Sequence, residues 1–98
     1  TDTKAVSFNL YKDGYNIASI AKERNLTIST IEGHLAWFVG NGDIDINKLV
    51  SKEKQKLVKG VAEVHGTMSH KTLIDNLPKD ISYGELRMVL ASQQEKEV

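Results

Sequence analysis

Apolar residues recur every three or four positions along most of this 98-residue chain, and short polar or glycine-containing breaks interrupt the recurrence. This spacing is typical of amphipathic helices that bury one face. The first helix is predicted over residues 3–13, capped by Asp2 or Thr3 and ended by Gly14 in a left-handed conformation. Its inner face is expected to carry Val6, Leu10 and Tyr11.

Residues 16–35, NIASIAKERNLTISTIEGHL, predict two short helices joined by a tight turn. Asn16 is expected to cap the first of them, and Asn25 lies at the turn, where a left-handed residue is needed. Ser29 is expected to open the second, with Glu32 completing a capping box, and Asn41 and Gly42 follow its end. Apolar side chains should hold the pair together: Ile17, Ile20, Ala21, Leu26, Ile31 and Leu35. This is the helix-turn-helix pattern, which often presents its second helix to the DNA major groove and elsewhere packs only against proteins.

The second half of the chain predicts a short extended segment and about three more helices. Alternation of Asp and Ile predicts a strand or arm over residues 43–50, where a winged helix would have its wing. Helices follow at about 52–65, at about 69–76, and after Ser82, which forms a capping box with Glu85. Their inward positions are predicted to be Leu57, Val58, Val61 and Val64, and then Tyr83, Leu86, Val89 and Leu90. The expected fold is all-α: one domain over 1–92, made of a winged-helix-like helix-turn-helix unit (1–42), the arm, and C-terminal helices (51–92), with a flexible tail at 93–98.

The amino-acid composition narrows the classes of protein to which the chain could belong. The chain is 40% hydrophobic and has no cysteine, which suits a single domain without disulfides or structural zinc. No apolar run reaches the roughly 18 residues that a spanning helix needs, and no signal peptide is visible, so a cytoplasmic location without membrane contact is expected. A first residue other than Met favours a fragment of a longer protein. Thirteen basic residues balance thirteen acidic ones, so the bulk charge gives DNA binding no support.

The outward face of the third helix decides whether bases can be read. With Ile31, Leu35 and Phe38 turned inward, that face is centred on small residues and flanked by three others: Gly33, Ala36 and Gly40, then Thr30, Glu32 and Trp37. It carries no Lys or Arg, and the side chains that usually read bases are missing from its middle. Sequence-specific recognition is therefore not expected. A strip of small residues suits the close approach of a sugar-phosphate backbone or of another helix.

The segment GYNIASIAKERNLTISTIEGHL and the last-helix sequence ISYGELRMVLAS together resemble the C-terminal helix-turn-helix domain of bacterial RecQ-type ATP-dependent DNA helicases. The matching positions are Ile20, Ala21, Arg24, Leu26, Ser29, Thr30, Ile31, His34 and Leu35, and then Ile81, Tyr83, Gly84, Arg87 and Leu90. The resemblance implies an upstream motor, using ATP and Mg²⁺, as the partner of this domain within one parent chain. No GxxxxGK[ST] phosphate loop occurs in the 98 residues, so no ATP hydrolysis and no cofactor are expected in this piece.

Several polar residues could contact the DNA backbone without reading bases. Ser29 and Thr30 begin a helix, where hydroxyl and N–H groups bind phosphate, although simple capping explains them equally. Lys52, Lys56 and Lys59 recur at helical spacing, and a solvated helix face is the alternative explanation. The predicted DNA-binding set is Ser29, Thr30, Gly33, Trp37, Arg24, Lys22, Lys52, Lys56 and Lys59.

Aromatic and titratable residues offer fewer functions. Trp37 is either a stacking platform for an unpaired base or a side chain covered by the second half of the chain, and the covered position is favoured. Phe8, opposite the inner face of helix 1, has the same two interpretations. His34, His65 and His70 lack the spacing of a helical metal pair, so no metal is expected, and His34 is expected to be a packed residue. Ser29 and His34 lie out of phase on one helix with no oriented acid, so no catalytic residue is predicted.

Three hypotheses follow. The first is an accessory nucleic-acid-binding domain that holds DNA through its backbone. The second is a protein-interaction or dimerisation module that uses the small-residue face of helix 3. The third is a structural appendage that only stabilises a motor.

Overall fold

The computed structural model describes residues 2–95, with side chains to residue 93. Within these residues the chain is all-helical and contains no β-strand, which confirms the predicted fold class. A single 3₁₀ turn, Ile46–Lys48, separates the first three helices from the last three. None of the described helices is long and apolar enough to cross a membrane. The helices are α1 (Thr3–Lys12), α2 (Ile17–Arg24), α3 (Ile28–Gly40), α4 (Lys52–His65), α5 (His70–Asp75) and α6 (Tyr83–Glu95).

Most of the predicted helix boundaries are confirmed by their caps. Asp2 accepts a hydrogen bond from the backbone N–H of Lys4 at 2.9 Å, and Asn16 accepts one from Ser19 at 2.8 Å. Asn25 has φ 56°, the left-handed conformation that the tight turn between α2 and α3 requires. Ser82 and Glu85 form the reciprocal capping box, each side chain accepting from the other's N–H at 3.0 Å.

The start of α3 differs from the prediction. Thr27, not Ser29, is the N-cap, and its Oγ1 accepts from the N–H of Thr30 at 3.1 Å. Glu32 therefore completes no capping box and instead turns inward, where it is 8% exposed. Thr27 and Ser29 both carry the hydroxyl group that an N-cap needs. The structure uses Thr27, and Glu32 packs inward against the last helix.

The core is built around α3, which packs against α1, α2 and α6. Its three predicted inward residues, Ile31, Leu35 and Phe38, are buried. Phe8 is not an outward residue, because its ring stacks on Phe38 at a centroid distance of 4.2 Å. The inner face of α1 is therefore wider than predicted, and it includes Ser7, which is fully buried.

The small-residue face of α3 is only partly open to solvent, so the predicted outward face is confirmed at Gly33 and Gly40, which are partly exposed, and is wrong at Ala36. Ala36 is 6% exposed, and a Cβ added at Gly40 would lie 3.6 Å from the Cβ of Ala91 on α6. Small side chains allow two helices to cross closely, and the helix that approaches is α6 of the same chain. The interaction hypothesis based on this face therefore keeps only a narrow part of its surface.

The predicted strand or arm over residues 43–50 is also wrong. Ile44 and Ile46 are buried and Asp43 and Asp45 are exposed, so the alternation does report burial. The backbone nevertheless closes into the 3₁₀ turn, because Asp45 caps it by accepting from the N–H of Asn47 at 3.0 Å. Without a second strand to pair with, an extended segment would leave its N–H and C=O groups unsatisfied.

Two of the predicted inner faces need correction. On α4, Val58 is buried and Val61 partly buried, whereas Leu57 and Val64 are exposed by 41% and 77%. Lys54 occupies the inward side instead, bound to Glu85 at 3.0 Å. On α6, Leu86, Val89 and Leu90 are buried as predicted, joined by Met88, but Tyr83 is exposed by 46%. Helix α6 continues through residues 93–95 of the predicted tail, and residues 96–98 lie outside the described part.

Glu32 lies at the junction of α3 and α6. Ser82 donates to its carboxylate at 3.4 Å, and a Cβ added at Gly84 would lie only 2.7 Å from the Glu32 Cβ. Burial raises the pKa of Glu32, and the negative charge of Glu85 adds to the effect, while the Ser82 hydrogen bond opposes it. The folded protein thus holds a carboxyl group that is protonated more readily than an exposed glutamate.

Replacement of Glu32 by Gln is expected to stabilise the domain at neutral pH. A folded-state pKa above the unfolded value means that stability is largest when the group is protonated and falls as the pH rises past about 4.3. Gln keeps the shape and can still accept from Ser82, but it carries no charge. Thermal unfolding of both proteins at pH about 7 and about 4 checks this. The variant should gain in melting temperature at the higher pH and lose that gain at the lower; an equal difference at both would contradict the cause.

Candidate nucleic-acid interface

A narrow strip of α3 reaches solvent between the elements that cover the rest of the helix. Thr30, Trp37 and Asn41 are exposed along it, and Gly33 is partly exposed between them. Their spacing of three to four residues places them on one side of the helix. Trp37 is 52% exposed, so the prediction that the second half of the chain covers it is wrong.

This strip forms the floor of an open groove of about 420 Å³. The N-terminal part of α1 and one side of α6 provide its walls. The polar or aromatic residues that line it are Lys4, Trp37, Asn41, His70 and Arg87. Both charged residues among the described lining are cations, whereas the chain as a whole is neutral. The groove is therefore a local positive site on a protein with no net charge.

Trp37 is held by an aromatic row that runs into the core. Its ring meets Phe38 edge-on, at 5.0 Å and 81°, and Phe38 in turn stacks on Phe8. The ammonium group of Lys12 lies 4.7 Å from the centre of the Phe8 ring, within the range of a cation–π contact. The half-exposed indole thus rests against the core and gives the groove an aromatic floor.

Arg24 does not point its charge at the groove. Its guanidinium donates to the carbonyl and hydroxyl oxygens of Thr3 and to the hydroxyl of Ser7, at 2.7, 2.8 and 2.7 Å. These contacts tie α2 to the first turns of α1. Arg24 therefore has a structural role, and a DNA contact by this residue stays a prediction.

His34 belongs to the same network, as the prediction of a packed residue implied. Ser7 accepts from Arg24, so its hydroxyl proton is available for His34 Nδ1 at 2.9 Å. Burial lowers the pKa of His34, and the nearby charges of Arg24 and Lys4 lower it further, with Asp2 opposing them. The ring is therefore protonated less readily than a free imidazole.

The remaining predicted site residues lie in three separate places. Ser29 and Thr30 are exposed in the first turn of α3, where Thr30 Oγ1 is hydrogen-bonded to Thr27 Oγ1 at 2.8 Å. Three lysines line a separate groove of about 250 Å³ with Asn47 and Gln55, namely Lys52, Lys56 and Lys59. That groove shares no lining residue with the one on α3. Lys22 is exposed on α2 and lines neither. A DNA contact by these residues stays a prediction.

Sequence reasoning missed the two cations that matter most to the groove, Lys4 and Arg87. Arg87 belongs to the last-helix sequence ISYGELRMVLAS, which carries the resemblance, so the sequence did contain a reason to single it out. A Cβ added at Gly33 would lie 2.8 Å from Arg87 Nη1, so the guanidinium lies directly against the α3 backbone. Gly84 of the same sequence packs against Glu32, so the last-helix sequence and the helix-turn-helix segment meet where α6 crosses α3.

The comparisons with known proteins agree with this architecture. The chain matches the family described as "Helix-turn-helix domain" over residues 3–90, which spans all of α1 to α5 and most of α6. No curated protein and no solved structure matches it. With nearly the whole chain covered by that match, the protein belongs to this helix-turn-helix domain family.

Proposed function

We propose that this domain binds nucleic acid through the groove on α3, contacting the sugar-phosphate backbone with little sequence specificity. The observation that carries the proposal is the pair of cations, Lys4 and Arg87, on the walls of a groove whose floor is an exposed strip of the second helix of the helix-turn-helix unit. Membership of a helix-turn-helix family supports nucleic acid in general as the ligand.

Low sequence specificity follows from the side chains that α3 carries. Helix α3 contains no Lys, Arg, Asn or Gln, so bidentate contacts to guanine and adenine edges are not available from the helix itself. Asn41, its C-cap, is the one amide side chain among the described groove lining. Lys4 and Arg87 come from the flanking helices and can neutralise phosphates, which positions a strand without identifying its bases.

The larger assembly that we propose is a RecQ-type DNA helicase, with this chain as an accessory domain. The support is the resemblance of residues 14–35 and 81–92 to the C-terminal helix-turn-helix domain of those enzymes. In that setting a separate motor would bind ATP and Mg²⁺. This domain would add contacts to DNA without hydrolysing nucleotide itself.

Neutralising the groove is expected to weaken DNA binding. The variant Lys4→Gln/Arg87→Gln should bind a labelled oligonucleotide of arbitrary sequence about tenfold or more weakly at low salt. It should also reduce the slope of log affinity against log salt by about 1 to 2, because two phosphate contacts are lost. Fluorescence anisotropy over a series of salt concentrations measures both quantities.

The matched control is Lys56→Gln/Lys59→Gln, which removes the same charge from the other groove. It should leave affinity and salt slope nearly unchanged. No salt-dependent binding by the unmodified chain at roughly 100 µM would overturn the proposal. A loss confined to the control variant would also overturn it, since the contact surface would then be α4.

A further inference from the structure

The groove on α3 suits a single strand better than a duplex. A helix that reads double-stranded DNA protrudes from its domain and enters a major groove about 12 Å wide. Helix α3 instead lies among α1, α2 and α6, and its accessible strip is recessed between Lys4 and Arg87. A concave, cation-walled surface suits a flexible strand whose bases can turn away from their neighbours.

We infer that this groove holds an unpaired nucleotide of a single strand, with its base stacked on Trp37 and its phosphate held by Lys4 and Arg87. The inference rests on the proposed function and specifies the form of nucleic acid. The groove volume of about 420 Å³ falls within the usual range of small-ligand sites, about 300–1,000 Å³.

Trp37 provides the stacking surface. Indole rings are normally buried, yet this one is 52% exposed on the floor of a charged groove. Its edge contact with Phe38 restricts the orientation of the ring, so less side-chain freedom is lost when a base stacks on it. Every base has a π face, so stacking tolerates any sequence, in agreement with the absence of base-reading side chains on α3.

Arg87 provides an anion contact that is already positioned. Its guanidinium lies against Gly33, and among the described side chains it has neither an ion-pair nor a hydrogen-bond partner. The Lys4 ammonium likewise has no carboxylate partner among them. An exposed Arg held against a helix beside an aromatic ring is well placed for a phosphate on the same strand.

The first test compares ligands with the unmodified chain. The probes are short oligothymidylate, oligouridylate, a mixed-sequence duplex, and an abasic strand that keeps sugars and phosphates but has no bases. Trp37 is the only tryptophan of the sequence, so its fluorescence reports directly on stacking. We expect quenching by oligothymidylate and none by the abasic strand, which should bind roughly 5- to 150-fold more weakly. The duplex should also bind more weakly than the single strand, and oligouridylate shows whether ribose is accepted.

The second test uses variants. Trp37→Leu should weaken oligothymidylate binding by the same factor and leave binding of the abasic strand unchanged, while Trp37→Phe retains part of the affinity. Tyr15→Leu is the matched control, because Tyr15 is an exposed aromatic residue outside the groove lining. Gly33→Ala should displace the flexible end of Arg87 and so weaken binding of both oligothymidylate and the abasic strand. Because Ala is a better helix former than Gly, the fold should be preserved.

The outcomes separate the two proposals. If single strand and duplex bind alike, without quenching, and Trp37→Leu binds as the unmodified chain does, the stacking inference is wrong while backbone binding stands. If no probe binds, both are wrong. Circular dichroism of each variant establishes that a loss of affinity comes from the groove and not from unfolding.

Discussion

Replacement of Gly84 by Ala is expected to lower the free energy of unfolding by about 1–3 kcal/mol. A Cβ at this position would lie 2.7 Å from the Cβ of Glu32, closer than side-chain atoms pack. Because the obstructing atom is attached directly to the α3 backbone, the two helices must move apart to make room. Urea unfolding of the variant and the unmodified chain, followed by circular dichroism, measures the difference.

The control for this substitution is Gly60→Ala on α4. Nothing lies within 4 Å of a Cβ added there, so the change acts through helix propensity alone and should stabilise by about 0.5–1 kcal/mol. The two glycines thus predict opposite signs for the same chemical change. If both substitutions stabilise the domain, the close contact between α3 and α6 does not exist as described.

Replacement of Arg24 by Ala is expected to cost about 1.5–3 kcal/mol, the range for hydrogen bonds that involve a charged group. The guanidinium makes three hydrogen bonds of 2.7 to 2.8 Å to Thr3 and Ser7, and one of its acceptors is the fully buried Ser7 hydroxyl. Thermal or urea unfolding gives the loss. Arg24→Lys should recover only part of it, because an ammonium cannot reproduce the planar fork that spans three acceptors.

Lys22 serves as the comparison for Arg24. It lies two residues earlier on the same helix, is exposed, and carries the same charge. Lys22→Ala should change stability by no more than about 0.5 kcal/mol. Equal losses at the two positions would mean that helix charge, and not the hydrogen bonds to α1, accounts for the effect.

The local rules of helix formation were sufficient to predict the six helices of this fold, although not the 3₁₀ turn between them. Asn16, Asn25 and the Ser82–Glu85 pair satisfy backbone groups within a few residues of themselves, so their roles can be read from short stretches of sequence. The predicted inward residues of α3 follow from its period for the same reason. The predicted strand over 43–50 is wrong because alternation of apolar and polar residues reports burial and does not determine the backbone conformation.

The candidate site was less predictable because it depends on contacts between distant residues. The period of α3 gives its inward face, but it does not say that α6 covers Ala36 while leaving Trp37 accessible. Lys4 and Arg87 lie more than eighty positions apart, and only the fold brings them to one groove. Arg24, in contrast, looked available in the sequence and is committed to α1.

The dependence of α3 on α6 has a consequence for synthesis on the ribosome. The hydrogen bond from Ser82 to Glu32 closes a separation of 50 residues, and the side chains of α6 that cover α3 emerge later still. A nascent chain in which only the first three helices have been synthesised would leave Ala36 and the neighbouring apolar surface exposed to water. Its final packing must await the last helix, so we expect this small helical protein to fold more slowly than bundles whose contacts are mostly local.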